Sequence, residues 1–290
     1  MAALAEALHA GTYRPEPYRL LFLHTPKRRL IAAAAVRDRL VHHAAVRVLA
    51  PIFDPSLIDA TYACLDGRGC HRALLAMVAA MRRARFMMLL DIRHYFLSID
   101  REILIEDVMA RKLKDRRVLE LLRVIADSGA GLYTRPEVAE FLGLQPGFPP
   151  PRCGLPIGNL TSQWWGNHYL SGLDHFVKRE LKVGLYQRYM DDAVLLADDA
   201  GQLVAAREAI AVWLWERRRL RLKRPAAPVV STGEVVTYLG HRVSQAGVAP
   251  TRAALRRMQR RISGLVLRGT VEQVERSIAA YGGVLRLRGA

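Results

Sequence analysis

The chain has 290 residues, 51% of them hydrophobic, with 44 Lys and Arg against 27 Asp and Glu. That length supports a sizeable core in two or three packed subdomains, and no charge-free apolar run of about 20 residues is present, which excludes a transmembrane helix. The formal net charge of +17 repels itself unless an anion is bound; nucleic acid is the expected partner, because phosphate neutralisation releases counterions, while the dispersed basic residues argue against an anionic membrane.

In chain order, Met1 to Ala10 is Ala-rich, carries Glu6 and lacks the basic start and cleavage pattern of a secretory signal, so the expected location is the cytoplasm. Arg37 to Ala50 reads as a helix, with Leu40, Val41, Ala44, Ala45 and Val48 on one arc. Cys64, Cys70 and Cys153 form no CxxC pair and no disulfide framework. Cys64 and Cys70 with His71 lack a fourth ligand at zinc-like spacing and read as packing residues. Phe86 to Leu90 is an apolar run of strand length that ends at Asp91. Ile103 to Ile125 has a helical pattern, and the Gly- and Pro-rich segment Gly129 to Gly158 reads mostly as loop.

Thr161 or Ser162 is placed to cap the next helix, on which Trp165, Tyr169, Leu173 and Val177 recur on one face. Trp164, Trp165 and Tyr169 at helical spacing read as core rather than as base-stacking groups. Leu185 to Tyr189 and Ala193 to Ala197 are two strands around a tight Met190-Asp191-Asp192 turn. An amphipathic helix follows through Leu203, Ala206, Ile210, Trp213 and Leu214. Val229 to Ser231 and Val235 to Val243 are strand-like, and from Thr251 two basic helices break near Gly269. Strands and helices without regular alternation give an α+β fold, a sheet with helices on one face.

The chemistry concentrates in two acidic segments. Asp191-Asp192 sits at a hairpin tip between apolar strands, and Asp91 ends another apolar strand. Adjacent carboxylates on a rigid sheet suit hard divalent cations, since their mutual repulsion is tolerable only with a cation between them. Asp198-Asp199, without such flanks, reads as a solvated loop.

These segments resemble the ordered motifs of reverse transcriptases. Phe86 to Asp100, Gly154 to Asp174 and Tyr186 to Asp199 are similar to that family's A, B and C motifs. Arg29-Leu30-Ile31 with Arg37-Asp38-Arg39, and Tyr62 to His71 with Gly67-Arg68-Gly69, resemble its fingers segments; Tyr238-Leu239-Gly240 resembles its primer grip. The resemblance spans roughly residues 18 to 245. In Gly154-Leu155-Pro156-Ile157-Gly158-Asn159-Leu160-Thr161-Ser162-Gln163, an apolar Ile where Gln is usual, and the closing Ser-Gln, resemble the enzymes of diversity-generating retroelements, which copy a template RNA with frequent errors at adenines.

The resemblance implies a right-hand polymerase, with fingers at 1–85, a palm with inserted fingers segments at 86–245 and a short helical thumb at 246–290. It implies two Mg²⁺ ions (or Mn²⁺) on Asp91, Asp191 and Asp192. It implies that Lys27, Arg28 and Arg29 hold the dNTP triphosphate, and that Phe96, or its neighbour Tyr95, excludes a ribose 2′-hydroxyl. Ile157 and Gly158 would border the nascent base pair. Arg37 and Arg39 read as structural or phosphate-touching. Lys223 comes too early after the Leu203 helix for the family's usual lysine, which leaves that role open. The implied partners are template RNA, the RNA/cDNA duplex, dNTPs and a basic oligomeric accessory protein. A phage-defence reverse transcriptase and an inactive RNA-binding scaffold are the rival readings.

Overall fold

The computed structural model describes residues 2–25 and 27–285. Helix α1 (Ala2–His9) leads into a hairpin, β1 (Arg19–Leu23) with β2 (Arg29–Ala33), then α2 (Val36–Phe53) and α3 (Cys70–Met81). Next come β3 (Phe86–Asp91), α4 (Tyr95–Ser98), α5 (Arg116–Asp127), α6 (Pro136–Leu142), α7 (Leu160–Tyr169) and α8 (Ser171–His175). Strands β4 (Leu185–Tyr189) and β5 (Asp192–Ala197) are followed by α9 (Ala200–Arg218) and β6 (Val229–Ser231). A small sheet of β7 (Val236–Tyr238), β8 (His241–Ser244) and β9 (Gly247–Pro250) precedes α10 (Arg252–Arg268) and α11 (Val271–Leu285). No helix among the described residues is long and apolar enough to cross a membrane.

The central sheet is antiparallel, in the order β4-β5-β3-β6. Side chains of a strand alternate between faces. Met88 and Leu90 of β3 therefore join Ala193 and Leu195 in a core with Trp165, Tyr169 and Leu214, whereas Met87 joins Val194 and Leu196 in a second core. That second core is completed by Leu74, Met77 and Met81 of α3 and by Tyr238, Val243 and Val248 of the small sheet. The expectation of helices on one face is thus corrected: both faces are covered, which is why β3 and β5 read as continuous apolar runs rather than alternating ones. Trp164, Trp165 and Tyr169 are buried, as read. A third core holds the β1–β2 hairpin down, with Leu30 and Ala32 against Leu97, Tyr133 and Val138.

Several boundaries differ from the expectations for identifiable reasons. Ile103 to Ile125 is not one helix. Ile103–Met109 is π-helical, the chain breaks after it, and Asp115 starts α5 anew by accepting from Arg117 N and Val118 N at 2.8 and 3.2 Å. Gly129 to Gly158 contains α6, begun by Pro136 and ended by Gly143 in a left-handed conformation. Helix α7 is entered through Asn159, with Thr161 and Ser162 inside it; the Thr161 hydroxyl bonds the His42 ring at 2.7 Å instead of capping. Val235 to Val243 is a hairpin that turns at Leu239-Gly240, where φ is +46° and +77°. Of the two terminal helices only α10 is basic; α11 carries Glu272 and Glu275 against Arg276 through Leu285, and Thr270 caps it by exchanging hydrogen bonds with Gln273. Cys64 is exposed rather than packed.

A charge sits within β4. Arg188 is 1% exposed and makes a two-pronged ion pair with the fully buried Asp174 of α8, both contacts at 2.7 Å. Asp174 also accepts from the Tyr186 hydroxyl at 2.8 Å and the Thr61 hydroxyl at 3.1 Å. The remaining guanidinium hydrogens reach Asn167 of α7 and, at 2.8 Å, the Met190 carbonyl. Burial alone pulls the guanidinium pKa down; the Asp174 carboxylate outweighs it and holds Arg188 charged, above the ordinary arginine value. Removing one partner strands the other charge in the core. Asp174→Ala is expected to lower unfolding stability by about 3–5 kcal/mol, and the double variant Asp174→Leu/Arg188→Met by much less. Urea midpoints of the three proteins check this, and equal losses would contradict it.

Candidate active site

The pairing registers bring the acidic residues together. Asp91 at the end of β3 faces Asp192 at the start of β5, and Asp192 pairs with Tyr189 of β4. The turn between β4 and β5 is therefore Met190-Asp191 alone, one residue tighter at its far end than the expected Met190-Asp191-Asp192. Met190 has φ +57°, a left-handed backbone that glycine normally supplies. Arg188 holds its carbonyl there. Helix α7 packs directly beneath: a Cβ on Gly166 would lie 2.9 Å from Met190 Sδ and 3.3 Å from the Phe96 ring. The Tyr95 hydroxyl donates to the Gly166 carbonyl, fixing α4 on the same helix.

Burial and neighbouring charge perturb Asp191 and Asp192. Burial pushes Asp191 up to about 6, with further upward pressure from Asp91 and relief from Lys223 and Arg188. Burial, then Asp191 and Asp91, push Asp192 up to about 7, with relief from Lys223 and Lys27. The cation at the centre is Lys223. Residues 221–223 run antiparallel to 91–93, with Lys223 N–H donating to Asp91 O at 2.8 Å and Arg93 N–H to Arg221 O at 2.9 Å. That pairing lays the Lys223 ammonium on the Asp91 carboxylate, where it forms an ion pair. Sequence spacing alone sets Lys223 aside. Spacing says nothing about a segment that returns across the sheet.

The other expected residues divide. Lys27 lies close enough to lower the Asp192 pKa. Arg28 is turned away, donating to the Phe141 carbonyl at 3.3 Å and stacking on that ring, and Arg29 opens β2, exposed. Phe96 is half-buried on α4 against Tyr95. The Ile157 carbonyl accepts from Ala32 N at 2.8 Å, which ties the β1–β2 hairpin to this segment. Gly158, at φ +121°, leaves no room for a Cβ, which would meet Ile31 Cγ2 at 2.9 Å. Tyr238 is buried with its hydroxyl near Gln187, so of the Tyr238-Leu239-Gly240 turn only Leu239 and Gly240 reach the surface. In the fingers segments Asp38 is structural, accepting from the Tyr13 hydroxyl and Glu16 N. Arg37 pairs with Glu16, and Arg68 braces the carbonyls of Ile58, Asp59 and Thr61. Asp198 and Asp199 act locally, on Arg85 N and as the cap of α9.

Among the described residues no three His, Cys, Asp or Glu side chains already converge on one metal-sized point, Asp91 being paired with Lys223. The donor set nevertheless fits hard divalent ions. It is all oxygen, it sits at one sheet end, and its raised pKa values record an excess of negative charge that one ammonium only partly offsets.

Residues 23–243 match the reverse transcriptase (RNA-dependent DNA polymerase) family. The chain belongs to that family. Among curated relatives, the group II intron-encoded protein LtrA of Lactococcus lactis subsp. cremoris is 26% identical over 177 residues, 60% of this chain and 27% of LtrA. The protein YkfC of Escherichia coli K12 is 25% identical over 271 residues, covering 83% of this chain and 70% of YkfC. The chain thus spans about a quarter of the intron protein's length. Among solved structures, telomerase from Candida albicans superposes with a TM-score of 0.54 at 8% identity, over 95% of this chain and 55% of that one. Telomerase from Candida tropicalis gives 0.53 at 9%, over 86% and 59%. The family member therefore has the right-hand polymerase fold, an α+β architecture.

The two raised carboxylates make a stability prediction. Their folded pKa values, about 6 and 7, lie above the ~4 of an unfolded aspartate, so the folded state holds these protons longer. The stability these two groups contribute is fully present below about pH 4 and is lost as pH rises towards 7. In chelator, Asp192→Asn is expected to melt higher than the parent at pH 8, by roughly 2–4 °C, the scale of about 1 kcal/mol in a chain this size, and equally at pH 4. Melting curves at the two pH values check it; a lower melting point at pH 8 would reverse the argument.

Proposed function

We propose that this chain is an RNA-directed DNA polymerase in which Asp91, Asp191 and Asp192 form the catalytic metal site. The observation that carries the reading is the meeting of these three carboxylates at one end of the sheet, in a member of the reverse transcriptase family. Two Mg²⁺ ions (or Mn²⁺), held by these aspartates, would lower the pKa of the primer 3′-hydroxyl and steady the leaving pyrophosphate. The rigid β3–β5 pair holds the carboxylates in fixed relation, which suits a reaction where small displacements cost rate. Lys27 and Arg29 would bind the triphosphate through charge-assisted hydrogen bonds. Lys223, beside Asp91, would neutralise charge developing on the pyrophosphate, the role the sequence left open. Phe96 would exclude the 2′-hydroxyl, and Leu239-Gly240 would contact the primer. The division into fingers at 1–85, palm at 86–245 and thumb at 246–290 belongs to the same reading, with the net +17 charge serving the RNA/cDNA duplex.

Within the family we assign the chain to the error-prone type of diversity-generating retroelements, working with a basic oligomeric accessory protein. Ile157 supports this: it offers an apolar side chain where a Gln would hydrogen-bond, and discrimination between bases is a difference in binding energy.

Primer extension on an RNA template tests the first claim. Mg²⁺-dependent DNA synthesis is expected from the parent and none above background from Asp91→Asn or Asp192→Asn; a parent that fails to extend, with and without an accessory protein, overturns it. Synthesis at limiting Mg²⁺ should also decline as pH drops from 8 to 6, because protonated Asp191 and Asp192 bind metal poorly, and added Mg²⁺ should restore it. For the second claim, Ile157→Gln is expected to reduce misincorporation at template adenines about tenfold, the scale of one hydrogen bond. An unchanged error rate removes Ile157 from the account.

A further inference from the structure

A cavity of about 520 Å³ lies beside the segment that carries Lys223, and nothing in the proposed reaction uses it. Residues 221–223 pair with 91–93, and Arg93 and Arg221 both line the cavity. One two-residue strand repeat is roughly 7 Å, so the cavity begins about that far from the Asp91–Lys223 pair. None of Asp91, Asp191, Asp192 or Lys223 lines it.

Its chemistry has two halves. Arg93, Arg152, Arg219 and Arg221 face it, against the single carboxylate of Asp100, which Arg152 already engages at 2.8 Å. Among the described residues Arg93, Arg219 and Arg221 have no acidic partner. The other half is aromatic and apolar. Trp215 is 44% exposed, an unusual exposure for so large an apolar ring. The Arg221 and Arg219 guanidinium carbons stand 4.6 and 5.8 Å from its ring centroid, so the indole holds the two cations in place. Phe148 lines the cavity as well, with the His94 ring 5.2 Å away. His94 adopts φ +47°, a strained backbone for a non-glycine residue, at the cavity wall.

A simple anion has no use for the aromatic surface, and an apolar ligand has none for unpaired arginines. A planar base joined to phosphate uses both, by stacking and by guanidinium–phosphate bonds. The volume falls in the range of pockets that enclose one small ligand; it is too small for a duplex. We propose that this cavity is a second nucleotide site, separate from the catalytic centre. It takes one nucleotide unit, supplied either by a free nucleoside triphosphate or by an unpaired nucleotide of a strand. The base lies against Trp215 or Phe148 and the phosphates on Arg219 and Arg221. Occupancy bears on the strand that presents Lys223 to Asp91.

The test uses the whole chain in EDTA, so that it does not depend on polymerase activity. Titration with ATP, and separately with a 5′-phosphorylated trinucleotide, is followed by tryptophan fluorescence. Saturable quenching is expected, lost in Trp215→Phe and weakened at least tenfold in Arg219→Glu/Arg221→Glu with an unchanged circular dichroism spectrum. Adenosine and tripolyphosphate should each bind more weakly than ATP. Whichever of ATP and the trinucleotide binds at the lower concentration identifies the source. On the unaltered chain, photolabelling with 8-azido-ATP should mark the peptide containing Phe148 or Trp215. Absence of saturable binding by both probes, undiminished binding to the charge-reversed variant, or label confined to the Phe96 or Ile157 side chain itself overturns the proposal.

Discussion

The buried pair of Arg188 and Asp174 stands where β4, α7, α8 and the Ala60–Tyr62 segment meet, and the acidic end of the sheet is referenced to it. Two ions taken out of water lose several kcal/mol of solvation each, regained only if every hydrogen and lone pair finds a partner. Here the partners come from all the elements that must be aligned. Tyr186 and Thr61 complete Asp174, Asn167 and the Met190 carbonyl complete Arg188, and the Arg188 main chain pairs with Ala60 and Tyr62. An apolar pair of similar volume would fill the space. It would not hold the Met190 carbonyl in a left-handed turn, and so would not decide where Asp191 points.

The chain combines opposite electrostatic demands. Overall it is strongly basic, yet at one sheet end it gathers three carboxylates, where burial and then neighbouring negative charge raise the proton affinity of Asp191 and Asp192. Lys223 reconciles them locally, as a fixed cation tethered by a backbone pairing rather than by chance approach of a long side chain. Arg221, two residues earlier on the same strand, and Arg93 across from it continue the positive charge away from the carboxylates. The result is a gradient along one pair of short strands, from acidic at Asp91 to basic at the cavity by Trp215.

What could be read without coordinates was what local pattern encodes. The apolar runs at Phe86–Leu90 and Ala193–Ala197 announced strands, and a carboxylate at the end of each follows once they pair. The buried Trp165 and Tyr169 followed from helical spacing. Hidden features are those made by chain return. Lys223 reaches Asp91 across 132 positions of sequence, and no spacing rule links them. The second cover of the sheet comes from α3 and β7–β9, distant segments whose short strands carry too few residues for a period to show. Arg188 did leave a trace: an arginine inside the strand Leu185 to Tyr189 breaks its hydrophobicity, and a buried charge implies a partner. The break at Asp115 was equally visible as a capping residue, but the helical period on either side masked it.

Gly166 carries a consequence for how this site can vary. Its bare backbone lies where a single methyl would come within 2.9 Å of Met190 Sδ and within 3.3 and 3.4 Å of the Phe96 and Tyr95 rings, so the hairpin tip and α4 meet over one point of α7. The Met190 thioether ends a flexible side chain and can swing aside, whereas the two rings must give by a few tenths of an ångström. A larger residue at position 166 would therefore be felt at the β4–β5 turn and on α4 at once, which links two elements that share no stretch of sequence.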